Sequence, residues 1–374
     1  MTTYEEVFFS LVRNSLWETP VVAPPDFKEW KRVIRMANVQ AMHGAVARGM
    51  LASPEILEPL PEAVYVKMND MMMTNVYMHT KSNCYVQLLV KSLKAEGVES
   101  VLLKGQGLAV NYPNPHVRQC GDIDLYVGVE NYRKSYEIIK HLVDEIDDVS
   151  VLESDGKHYH AQISGTMIEV HKYSEVASSL LFDGIYQRYA EEGLSQNLVQ
   201  VEFGDVSVAT PADDFNAFYI FSHLWNHFLM GGVGLRQVCD WTIFLHSRAS
   251  TLNHDYLSNI LTDMKLMAPW QTFGCIAVDV LGLPEQEFPF YNPKYKDKAM
   301  KVLERILKEG NFGRQTEFMR RPKKGYYREK LYSLKCYVKR YSGMITLFPY
   351  HIFQRLHYSV VGGIKRLFAD KKRR

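Results

Sequence analysis

Val101-Leu-Leu-Lys-Gly-Gln-Gly-Leu-Ala-Val-Asn-Tyr-Pro-Asn-Pro-His-Val-Arg-Gln-Cys-Gly-Asp-Ile-Asp-Leu-Tyr-Val127 is the stretch that decides the fold. Its apolar start predicts a strand over 99–103, which ends in a Gly-containing turn over Lys104 to Gly107. A helical piece over 106–112 and a proline loop follow. Asp122 and Asp124 then alternate with Ile123, Leu125 and Val127 in a second strand, 122–127. Strand side chains alternate faces, so Asp122, Asp124 and Tyr126 share one face while the apolar three turn to a core. Two neighbouring carboxylates repel unless a cation lies between them. Hard divalent ions such as Mg²⁺ take oxygen ligands of this kind and keep positions open for phosphate oxygens. Gly105 and Gly107 permit close backbone approach, and a helix start offers free N–H groups to an anion. Lys104 adds a cation. Arg118 suits either bidentate phosphate binding or a structural ion pair.

A third acidic residue follows from a register argument. Lys157-His-Tyr-His-Ala-Gln-Ile163 and Thr166-Met-Ile-Glu-Val-His-Lys172 flank Ser164-Gly165, a two-residue hairpin turn. If Ile163 faces Thr166, His160 faces Glu169 and His158 faces His171, and opposed residues share a sheet face. The expected result is a polar cluster of His158, His160, Glu169 and His171. Tyr159, Ala161, Ile168 and Val170 fall on the other face, and a slip of one residue would destroy the segregation. His158 and His160 belong either to the site or to its polar rim.

The run from Val101 to Val127 resembles the polymerase-β-like nucleotidyltransferase superfamily: a strand, a Gly-Ser turn opening a helix, then Asp-x-Asp on the next strand. Leu103-Lys-Gly105, Tyr112-Pro113, Arg118 and Asp122-Ile-Asp-Leu125 most resemble its uncharacterised nucleotidyltransferase family. Ile168-Glu-Val-His171 is similar to that family's strand with a third acid. His223-x-x-x-His227 and Gly234-Leu-Arg-x-x-x-Asp240 are similar to its helical segment behind the site. Lys104-Gly-Gln-Gly107 stands where the superfamily has Gly-Ser, so the serine is missing, and the third acid is Glu rather than Asp. The resemblance implies an α/β (α+β) fold, a small mixed-sheet nucleotidyltransferase-like core with helical N- and C-terminal regions. It implies transfer of NMP from an NTP such as ATP to a hydroxyl, with release of pyrophosphate and two Mg²⁺ ions. Asp122, Asp124 and Glu169 would be the catalytic and metal-binding residues, with Glu169 completing the site or acting as base. Lys104, Gly105, Gln106, Gly107, Arg118 and His171 would contact nucleotide. The acceptor is a small molecule, a protein side chain or an RNA end. A non-catalytic nucleotide-binding scaffold is the reading that the missing serine supports.

The 374 residues suffice for two or three domains, and a hydrophobic content of 47% supports a full core. A net charge of +2 makes no demand for nucleic acid. Five scattered cysteines without a Cys-x-x-Cys pair argue against a zinc ribbon or a disulfide framework, and suit a reducing cytosol. No signal peptide or membrane-spanning run is evident, so a cytoplasmic location is expected. We divide the chain into a helical region, 1–82, a catalytic domain, 83–210, and a helical region with a basic tail, 211–374. Within these, helices are expected near 4–16, 26–50, 83–96, 131–143, 213–229, 233–247, 255–265, 268–281 and 296–309.

Other features carry plainer readings. Met68, Met71, Met72, Met73 and Met78 form either flexible core filler or an apolar base or partner surface. His223 and His227 have zinc-ligand spacing, but no Glu follows His223 and no further ligand stands nearby, so packing or a substrate contact is expected. Asp240 is placed to pair with Arg236 at i, i+4. The basic stretch 314–340, with Tyr326, Tyr327, Tyr332 and Tyr337, and the terminal Lys371-Lys-Arg-Arg374 form either a solvated face or a grip for an anionic partner, RNA or membrane. Pro349 and Gly362-Gly363 argue against one continuous helix there.

Overall fold

The computed structural model describes residues 1–146, 152–154, 157–177, 179, 181–313 and 325–372. The start of the basic stretch, 314–324, and the last two residues of the tail lie outside the described residues.

Five helices come first: α1 (Thr3–Trp17), α2 (Trp30–Val39), α3 (His43–Leu51), α4 (Pro54–Leu57) and α5 (Glu62–Ala95). Then come β1 (Val101–Leu103), α6 (Gly105–Ala109), β2 (Ile123–Tyr126), α7 (Gly128–Ile146), β3 (Leu152–Ser154), β4 (His158–Ile163) and β5 (Thr166–His171). α8 (Asp183–Gly193), β6 (Val199–Phe203) and β7 (Val206–Thr210) complete the mixed region. Helices close the chain: α9 (Asp213–Met230), α10 (Leu235–Arg248), α11 (His254–Asp263), α12 (Met267–Asp279), α13 (Lys296–Glu309), α14 (Tyr326–Ser342) and α15 (Pro349–Lys372).

Among the described residues the strands form one seven-stranded mixed sheet in the order β3-β4-β5-β2-β1-β7-β6. β2 is antiparallel to β1 and parallel to β5, and β1 is parallel to β7. The β4–β5 hairpin forms in the register expected from the sequence, with Ile163 opposite Thr166, His160 opposite Glu169 and His158 opposite His171. Its turn needs positive φ at both central residues, and Ser164 (45°) and Gly165 (79°) supply it.

The sheet separates two cores. On one face Leu102, Ile123, Leu125, Tyr159, Ala161, Ile168 and Val170 pack with Val86, Leu89 and Leu93 of α5 and Ile139 and Val143 of α7. On the other face Val101 and Leu103 join a larger core built from α1–α3 and α9–α13, centred on aromatics such as Phe221, Trp241, Trp270 and Phe273. The N- and C-terminal helices therefore form one body over the acidic face of the sheet. Met68 is fully buried and Met71 and Met72 pack against this core, as fillers do, whereas Met73 is exposed.

Four expectations are corrected. The single helix expected over 26–50 is two, α2 and α3, parted where Ala41 takes a φ of 57°. The helix expected at 83–96 is the second half of a continuous 34-residue α5, so the division at 82/83 falls inside a helix. Nothing between Glu62 and Ala95 is Pro or Gly, so no residue there breaks the ladder. The piece at 106–112 is shorter, Gly105–Ala109. α15 runs unbroken through Gly362-Gly363, and Pro349 opens it at the first helical position, where a missing N–H costs nothing.

Close packing of α3 on α5 gives a test. At Gly44 an added Cβ would stand 2.5 Å from both Asn75 Nδ2 and the Val117 carbonyl oxygen. Gly44→Ala should cost about 1–3 kcal/mol by overpacking, read as a lower thermal midpoint. An unchanged midpoint would contradict this packing.

Candidate active site

β2 and β5 run parallel with Asp124 beside Glu169 and Tyr126 beside His171. This pairing brings the second Asp of Asp122-Ile-Asp124 and the hairpin acid together on the face turned to the helical body. His171 Nε2 lies 2.9 Å from Asp124 Oδ1 and 3.6 Å from Glu169 Oε2. Asp124, Glu169 and His171 each offer a ligand atom within 4.8 Å of the others. Asp122, one residue before β2, is exposed at the edge of this group.

Lys104 supplies the positive charge. It ends β1 at φ 48°, ψ −143°, a conformation that costs a non-glycine residue about 1–3 kcal/mol. Its Nζ stands 3.3 Å from Asp124 Oδ1 and 3.4 Å from His223 Nε2. Gly105 follows at φ 48°, and a Cβ there would lie 3.3 Å from the Asp122 carbonyl oxygen. The turn therefore touches the start of β2.

The electrostatics follow from these contacts. Burial pushes the Asp124 carboxyl up, but Lys104 and the hydrogen bond from His171 outweigh it and hold Asp124 well below the ordinary carboxylate range. Desolvation in the cleft raises Asp122, with repulsion from Asp124 adding to it against Lys104 and Arg236. Burial and repulsion from Asp124 also raise Glu169. The acidic face thus holds one firmly ionised group flanked by two that are costly to ionise.

Behind Lys104 lies a polar chain that the sequence reading did not assemble. His223 and His227 share a face of α9, with Nε2 atoms 3.0 Å apart. His223 Nδ1 is 3.7 Å from Glu175 Oε1, and Asn226 and Ser222 donate to the same carboxylate at 2.7 and 3.2 Å. Burial works against ionised Glu175, yet the His223 contact and the donated hydrogen bonds lower it to about 2. Burial, then His223 and Lys104, lower His227 to about 3. The two histidines therefore meet Lys104 and each other, an arrangement that suits a packing role. Glu175 had no cue in the sequence beyond its place in the loop after β5.

Several expected contacts fall elsewhere. Arg118 is buried and grips Asp240 with two bonds, Nε to Oδ1 at 2.9 Å and Nη2 to Oδ2 at 3.0 Å, and Tyr112 donates to Asp240 at 2.8 Å. Its fork is consumed by this pair, the structural of the two readings for Arg118, and the pair takes the place of the expected Arg236–Asp240 contact. Arg236 instead donates to the Gln119 carbonyl at 2.8 Å and lies beside Gly121, so it is a second cation near Asp122. Gln106 is buried, donating to Asn83 Oδ1 at 2.5 Å and accepting from Cys120 Sγ at 3.4 Å, so its amide braces the turn from behind. At Gly107 a Cβ would meet Thr210 Cγ2 at 3.2 Å, so this glycine serves the packing of α6 on the sheet. A cavity of about 340 Å³ lies between α1, α3 and the 113–117 loop, and none of these acidic or histidine side chains lines it.

Two predictions follow from the buried pairs. Arg118→Ala leaves Asp240 buried and uncompensated, and should cost about 3–5 kcal/mol of stability in denaturant unfolding. A variant as stable as wild type would contradict the pairing. Glu175 sits below its ordinary value in the folded chain, so its stabilisation is present above about pH 4.5 and is lost as pH falls toward about 2. That shift is worth about 3 kcal/mol at most. Glu175→Gln should flatten the fall of the melting temperature across that window, and an unchanged slope would sink the assignment.

The model of a family described as uncharacterised nucleotidyltransferase matches residues 26–282. An antigenic nucleotidyltransferase-like protein from Paracoccidioides brasiliensis has a structure similar to this one at 13% identity. That similarity covers 53% of this chain and 92% of the other with a TM-score of 0.33, too slight to argue from. No curated protein matches the chain. Among the described residues no helix is long and apolar enough to cross a membrane. With more than half of its length matched by the family model, the chain belongs to the uncharacterised nucleotidyltransferase family.

Proposed function

We propose that this protein transfers a nucleoside monophosphate from an NTP to an acceptor hydroxyl. The observation that carries the reading is the convergence of Asp124, Glu169 and His171 on one sheet face, with Lys104 beside them and Asp122 at the edge. The donor set suits Mg²⁺: Asp124 and Glu169, in adjacent register, give oxygen ligands for a hard cation, and Asp122 stands at the edge of the same group. Asp122, Asp124 and Glu169 would hold it. When bound, Mg²⁺ would neutralise charge on the triphosphate and orient it for in-line displacement.

The chain's own groups account for the rest. Lys104 carries a positive charge at the rim of the carboxylates, where it can meet phosphate oxygens. Gly105 keeps the backbone bare where the turn meets β2, which suits close approach of a triphosphate. The acceptor oxygen bonds to the α-phosphorus, the bond to the bridging oxygen breaks, and pyrophosphate leaves. The acceptor's proton passes to a basic group, for which Glu169 and His171 stand nearest Asp124.

The test is release of pyrophosphate from α-labelled ATP, GTP, CTP and UTP, with Mg²⁺ and three acceptor classes: simple sugars and alcohols, the protein itself, and RNA. Label should move to one class. Glu169→Gln should slow transfer by about 10²–10⁴-fold, the range for loss of a proton-transfer group. NTP binding with no transfer to any class would favour the scaffold reading instead.

A further inference from the structure

The hairpin carries a second donor set next to the first. His158 and His160 stand two residues apart on β4 and so on one face, and the antiparallel register puts Glu169 opposite His160. His158 Nε2 and His160 Nε2 face each other at 3.1 Å, and His160 Nδ1 lies 3.2 Å from Glu169 Oε1. His158, His160 and Glu169 each present a ligand atom within 4.8 Å of the others. Glu169 thus turns one oxygen to His160 and the other to His171, which itself meets Asp124.

Two facing imidazole nitrogens are a specific arrangement. One ring proton between them satisfies both. A divalent ion can take the place of that proton and bind both nitrogens. Ring nitrogens on one tetrahedral ion at roughly 2.0–2.1 Å stand about 3.3 Å apart, close to the 3.1 Å between the two Nε2 atoms, and Glu169, which meets His160 at Nδ1, must turn its carboxylate to join them. Both rings are partly open to solvent, which leaves a path for an ion.

We propose that His158, His160 and Glu169 form a second cation site, joined to the first through Glu169, that takes a nitrogen-preferring divalent ion of the Zn²⁺ class. Mg²⁺ dehydrates reluctantly and prefers oxygen, whereas imidazole suits Zn²⁺ and Co²⁺. Two histidines and one glutamate also leave coordination positions open, as in sites that admit water or substrate. The two sites share Glu169, so the sheet face would hold an oxygen-rich and a nitrogen-rich cation side by side. The assignment stands on donor geometry and does not depend on the transfer reaction.

Co²⁺ is the probe, because its visible absorption reports nitrogen ligation. The full-length chain, stripped with chelator, should take up Co²⁺ with d–d bands that Zn²⁺ displaces and excess Mg²⁺ does not. His158→Ala and His160→Ala should each weaken Co²⁺ binding by about tenfold or more and change the bands. Asp122→Asn should keep the bands while losing any Mg²⁺-dependent NTP binding, so failure of the transfer reading leaves a different mark from failure of this one. The displacement experiment uses the unmodified chain and holds even if a histidine variant folds poorly. Absence of Co²⁺ uptake, displacement by Mg²⁺, or bands unchanged in folded histidine variants would overturn the proposal.

Discussion

The parallel pairing of β2 with β5 is the constraint on which the site depends. Asp124 and Glu169 are far apart in the chain, and this pairing sets them side by side. It also fixes which faces are polar, because side chains alternate along both strands. Ile123, Leu125, Ile168 and Val170 are buried against α5 and α7, and their burial holds the acids on the opposite face. A slip of β2 by one residue would turn Asp124 into the core and expose Ile123 and Leu125, a cost of many kcal/mol by any measure of apolar or charge burial. Apolar packing on one side thus dictates the chemistry on the other.

Charge balance on the polar side sets a second constraint. Three carboxylates in a partly desolvated cleft repel one another, and the fold answers with Lys104, His171 and Arg236 around them. Lys104 is aimed by a strained turn at the end of β1 and is met from behind by His223, which leans on Glu175. The helical body therefore does more than cover the sheet. α9 and the loop before α8 supply the groups that surround the lysine, and α10 supplies Asp240, which ties down the loop leading into β2 through Arg118.

What was legible in the sequence was whatever local pattern determines. Alternation around Asp122-Ile-Asp124 gave its face, and Ser164-Gly165 with its flanking alternation gave the hairpin register down to individual pairs. The helices from α9 to α13 were legible for the same reason, since apolar spacing is a local signal, whereas the continuous α15 was not. Arg118 was not, because its partner stands 122 residues away and only tertiary packing brings them together. Gln106 reads like a turn residue but points backward into the bundle, and nothing in its neighbours says so. Arg236 was read as a partner for Asp240 at helical spacing, whereas the longer-range pair with Arg118 has the better fork geometry. The length of α5 was hidden because its Met-rich half shows no sharp apolar stripe. The seam between the helical bundle and the sheet lay in the middle of a helix, where composition gives no boundary.

The central claim is that the acidic face binds a nucleoside triphosphate through Mg²⁺. The most direct measurement is thermal-shift binding of ATP, GTP, CTP and UTP with and without Mg²⁺, on wild type and on Asp122→Asn/Asp124→Asn. The account predicts a Mg²⁺-dependent rise in melting temperature with at least one NTP, absent in the double variant. The same rise in the double variant, or none with any NTP, would contradict it.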